Sequence, residues 1–71
     1  MLFRSMKVRK IAGMPNCDDG DCPTVYLSDR GTLVVQGDHV VSADGMRLGE
    51  GEQAVEIPLG VLLEAARAVE R

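Results

Sequence analysis

Aromatic side chains are almost missing from this chain. Phe3 and Tyr26 are the whole set, and there is no tryptophan. A surface that stacks the bases of single-stranded nucleic acid needs several exposed rings, so that function class is poorly served. Histidine is as scarce. His39 stands alone, and no serine or cysteine sits in a recognisable nucleophile motif for it to serve as a base. No apolar run approaches the ~20 residues of a membrane-spanning helix. Met1-Leu-Phe-Arg-Ser-Met6 is too short for the apolar region of a signal peptide, and no small-residue cleavage site follows it. The expected setting is therefore the cytoplasm. Gly45, Gly49 and Gly51 lack both the Lys-Ser/Thr of a phosphate-binding loop and the strand–helix context of a dinucleotide fold. No polar constellation singles out a catalytic group, so the reading is of a non-enzyme without a cofactor.

What is present is an aliphatic, acidic chain of 71 residues, short enough for one domain spanning 1–71, with residues 1–5 allowed to be disordered. A chain of this size buries only about 60% of its unfolded surface. Such domains gain support from a disulfide, a metal or a second subunit. Net charge is −3, but unevenly spread. Arg4, Lys7, Arg9 and Lys10 fall in the first twelve residues with no acid among them. The rest of the chain sets four arginines against all eleven acids, a balance of −7. An acidic body repels phosphate and anionic lipid, which argues against direct nucleic-acid binding and against a membrane surface. The basic segment keeps a small nucleic-acid binder open as an alternative, although four charges on an alternating segment also describe a solvated strand face.

The expected fold is α+β: a small antiparallel β-meander of three or four strands with one C-terminal helix packed on it. Residues 6–12 alternate until Lys10 and Ile11 break the pattern, which suits a strand with a bulge near its end. Residues 13–21 form a loop crowded with Gly, Pro, Asn and Asp. Val25 and Leu27 oppose Thr24, Tyr26 and Ser28, and Leu33 and Val35 oppose Val34 and Gln36. Between these two strands Asp29-Arg30 fits a type I turn, and Gly31 supplies the positive φ of the bulge position that follows. Gly37-Asp38 interrupts the run that resumes at Val40-Val41. Ser42-Ala-Asp-Gly45 is turn-like, and Ala54–Ile57 reads as a last short strand.

Pro58 then opens a helix over about 58–70. Its apolar residues, Leu59, Val61, Leu62, Leu63, Ala65, Ala66, Ala68 and Val69, sweep an arc of roughly 220°. A helix lying on one sheet needs about 100–140°. The surplus, assigned chiefly to Val61, Ala65 and Ala68, calls for a second partner. The expected protein interface is Leu59, Val61, Leu62, Ala65, Ala68 and Val69, with a homodimer as the simplest form. On this reading Val61→Glu splits the dimer.

Cys17 and Cys22 admit three states. A zinc site would draw on Cys17, Cys22 and His39, yet four ligands are normal, and only Asp18, Asp19 or Asp21 could complete it. A disulfide would support so small a core, but a cytosolic setting opposes one. Two free thiols are the favoured state, and a metal-stabilised module stays as an alternative. The Asp-Asp-Gly-Asp run lacks the alternating acids and later Glu of a calcium loop and reads as a solvated loop.

The segment Cys-Pro-Thr-Val-Tyr…Ser-Asp-Arg-Gly-Thr-Leu-Val-Val-Gln-Gly, ending in Val-Glu-Ile-Pro-Leu before a helix, resembles a group of small actinobacterial proteins often encoded beside helix-turn-helix regulators. In layout it also looks related to the small partners of WhiJ-type regulators and to BldB-like proteins. The resemblance covers roughly residues 17–69. It implies a non-enzymatic protein-interaction module that binds a DNA-binding regulator and modulates transcription.

Overall fold

The computed structural model describes residues 5–13 and 22–70. Five strands and one helix follow in the order β1 (Val8–Gly13), β2 (Thr24–Ser28), β3 (Leu33–Gln36), β4 (Asp38–Val40), β5 (Ala54–Glu56) and α1 (Leu59–Val69). The first three make an antiparallel sheet in chain order, and β4 pairs antiparallel with β5 in a sheet of their own. The α+β class is as expected. The meander has three strands, within the expected three or four, and the β4–β5 pair is an additional sheet.

Gly37 marks that break. A side chain there would overlap the carbonyl oxygen of Glu56, and its Cβ would lie 2.8 Å from Ile57 Cγ2. Only glycine lets the chain turn out of the first sheet so close to β5. The expected interruption at Gly37-Asp38 is therefore a change of sheet: β3 ends at Gln36, and Asp38 begins pairing with Glu56.

The β2–β3 connection has the anticipated turn. Gly31 has φ 78° with open space around its Cα, a backbone region that side chains rarely adopt. The Ser28 amide donates to the Thr32 carbonyl at 2.9 Å. Ser28 Oγ accepts from the amides of Arg30 and Thr32, both at 3.1 Å, and lies 2.7 Å from Thr32 Oγ1. One buried hydroxyl thus organises the whole turn. In β1 the register steps from Lys10 opposite Tyr26 to Ala12 opposite Val25, leaving Ile11 as the extra residue of a bulge. The bulge brings Ala12 onto the face of Val25.

That face carries the core. Ala12, Val25, Val61 and Ala65 are buried in one cluster, with Ile11 and Ile57 packed against it. Val25 is the largest side chain buried completely among the described residues. α1 lies over β1, and to a lesser extent β2. It starts at Pro58, whose extended backbone (φ −63°, ψ 146°) serves as N-cap without a side-chain hydrogen bond. Arg67 in its last turn complements the carbonyl end of the helix dipole. Among the described residues no helix is long and apolar enough to cross a membrane.

Candidate interaction surface

The helix meets the sheet with residues smaller than its leucines. Val61 and Ala65 point inward, 4% and 0% exposed, and Ala68 is half-buried beside them. This corrects the expectation that Val61, Ala65 and Ala68 form the surplus face. Small side chains let the helix approach the sheet closely, and the approach at Ala12 and Val25 uses that room. The larger residues point away: Leu59 is 79% exposed, Leu63 57%, and Leu62 and Val69 47% each. The apolar arc is as wide as its sequence indicated, but its phase is reversed. Of the expected interface residues, Val61 and Ala65 are buried in the core and Ala68 is half-buried, while Leu59, Leu62 and Val69 are exposed, as is Leu63. Leu63 belonged to the apolar arc from the outset; nothing in its spacing distinguished it from an inward residue.

The inversion has a physical meaning. Burying a leucine side chain is worth about 1.5–3 kcal/mol, more than burying an alanine. A helix optimised only for this sheet would put leucines inward and alanines outward. Here four large apolar residues of a single eleven-residue helix face away from the sheet. Contiguous exposed apolar surface of this kind marks a site of association.

The surroundings of that surface are acidic. Every acid among the described residues, including Glu64 and Glu70 on the helix itself, is exposed. Lys7, Arg9 and Lys10 are exposed on and just before β1, at the opposite edge of the sheet from β3; Arg4 lies outside the described residues. A shallow depression of about 250 Å³ is lined by Lys7, Val8, Arg9, Leu27, Ser28 and Asp29. Another, of about 350 Å³, is lined by Pro23, Asp38, Glu56, Ile57 and Pro58. Neither brings His39 together with a nucleophile. His39 is exposed on β4 with Val55 as its cross-strand partner.

Cys22 is disulfide-bonded, and no free cysteine occurs among the described residues. This corrects the expectation of two free thiols. The one other cysteine of the chain, Cys17, lies outside the described residues. A thiolate is the form that ligates metal, so Cys22 in its disulfide is not a ligand, and the Cys17, Cys22, His39 set loses that member. No group of three potential ligands occurs among the described residues. The Cys22 carbonyl is held as well. It accepts from Thr24 Oγ1 and from Gln36 Nε2, each at 2.9 Å, while Gln36 Oε1 accepts from the Tyr26 hydroxyl at 3.2 Å. This chain of bonds ties the start of β2 to the end of β3. Asp29, Arg30 and Gly31 form turn geometry, as their sequence predicted.

Comparison with protein-family models, curated proteins and solved structures finds no match to this chain.

Proposed function

We propose that this chain is a non-enzymatic protein-interaction module, homodimeric, that binds a DNA-binding transcriptional regulator in the cytoplasm and modulates it. The observation that supports this most is the inverted helix: Leu59, Leu62, Leu63 and Val69 face outward while Val61 and Ala65 form the core. The acidic surroundings favour a basic partner, because complementary potentials speed and orient association. A DNA-binding domain has that character. The resemblance to proteins encoded beside helix-turn-helix regulators points to the same class.

The test is affinity capture from the host with the wild-type chain and a Leu62→Glu/Leu63→Glu variant. An identified helix-turn-helix protein is expected with the wild type at low salt. It should be lost with the variant and weakened by salt, since screening shortens the reach of surface charge. Capture of no DNA-binding protein, or capture that ignores both changes, rejects the reading.

A further inference from the structure

α1 carries a second seam besides the one it gives to the sheet. Leu59, Leu62, Ala66 and Val69 are all exposed, and their spacing is three, four, three. That spacing is the heptad rhythm of helices that pack along their length, knobs into holes. At 100° per residue the seam lies roughly 100° around the helix from Val61 and Ala65. A second helix packed there sits beside α1, to one side of the sheet contact. Leu63 flanks the seam and enters none of its layers.

The ends of the seam are charged unequally. Helix N-termini favour negative charge and C-termini positive. The N-terminus of α1 has no side-chain cap and no acid in its first turn. Glu56 precedes it on β5, opposite Asp38, and does not cap it. Glu70 stands at the C-cap, with the sign that this end disfavours. It is exposed, and on the helical wheel it falls beside Leu59, within the seam.

We propose that α1 packs antiparallel against α1 of a second copy, about a two-fold axis at the level of Glu64. This specifies the homodimer of the reading above and rests on it. Leu62 then stands level with Ala66 of the second copy, and Leu59 with Val69, each twice. Every layer sets a large side chain against a smaller one, so the layers interdigitate. Glu70 reaches the level of Pro58 in the second copy, at the uncapped N-terminus, again twice. A parallel pair would stack Leu62 on Leu62 and Ala66 on Ala66, align the two dipoles and leave Glu70 beside Glu70. Moving the axis one residue back would set Leu59 against Arg67, and one residue on would set Ala66 against Glu64. Both of those residues lie outside the seam, so either shift loses the layers. Charge and side-chain size therefore select a second copy, its direction and its register.

Sedimentation equilibrium of the full chain is expected to show a dimer at micromolar concentration. Leu62→Glu should give a monomer that circular dichroism shows to be folded. Glu70→Lys separates the dimer from the single helix. Lysine at the C-cap favours its own helix but repels the N-terminus of the second copy. That chain should stay folded while its dimer weakens at least about threefold. Under mild oxidation Leu62→Cys and Ala66→Cys should link to each other when mixed, faster than either links to itself. If Leu62→Glu fails to fold, the cysteine pattern decides alone. A monomeric wild-type chain overturns the proposal. So does a dimer that Leu62→Glu or Glu70→Lys leaves unchanged, or one in which Leu62→Cys links first to itself, the mark of a parallel pair. On this assignment Leu62→Glu/Leu63→Glu loses regulator capture because it splits the dimer. Capture is scored separately. A monomer that still captures a regulator removes the helix dimer alone, and a dimer linked from Leu62→Cys to Ala66→Cys that captures none removes the regulator reading alone.

Discussion

A single hydroxyl, that of Ser28, holds the turn between β2 and β3. It accepts from two amides and meets the Thr32 hydroxyl, and the residue is 6% exposed. Ser28→Ala removes all three interactions while leaving the backbone bond from Ser28 to Thr32 in place. Losing a buried hydrogen-bonding group costs about 1–3 kcal/mol. The expected result is a lower urea midpoint with an unchanged slope, because the surface exposed on unfolding stays the same. A midpoint within error of wild type would mean that the Gly31 backbone conformation alone holds the turn.

At the scale of elements, α1 shows what a wheel of residues can and cannot say. Glutamate at Val61 should now unfold the chain, since it buries an unpaired charge in the core cluster. Glutamate at Leu63, two residues on, should change stability by no more than about 0.5 kcal/mol. Circular dichroism in denaturant checks both, and a folded Val61→Glu protein would contradict the helix orientation. The strands were legible because period-two alternation survives in residues 24–28 and 33–36, and because Asp29-Arg30-Gly31 can hardly be anything but a turn. The bulge at Ile11 was legible as a break in that same alternation. The phase of the helix was not. Its apolar arc is wider than one sheet can cover, so which third faces inward depends on how closely the sheet lets it approach. That distance is set by Ala12 and Val25, far away in sequence. The partner of β4 was likewise hidden, since Gly37 signals a break without saying which strand is waiting beyond it.

Among the described residues few side chains are buried. Ala12, Val25, Val61 and Ala65 make a core that offers little apolar burial, so supports outside it matter more. The Cys22 disulfide is one of these. A bridge closing a short loop contributes about 2 kcal/mol, and in a domain of this size that moves the melting temperature by roughly 10 °C. Reductant should therefore lower Tm by about that amount, and an unchanged Tm would show that the hydrogen bonds of Thr24 and Gln36 to the Cys22 carbonyl suffice. The state of this bridge was not legible in the sequence, because the spacing of Cys17 and Cys22 allows a disulfide and only the expected cytosolic setting favoured free thiols. Tyr26 gives the molecule one more property. It is the sole tyrosine, there is no tryptophan, and its ring stands opposite Val34 with its hydroxyl on Gln36. Excited to the red of phenylalanine absorption, the protein therefore fluoresces from one point on β2. The chain carries its own optical reporter there, and opening of the β2–β3 hairpin can be followed without attaching a label.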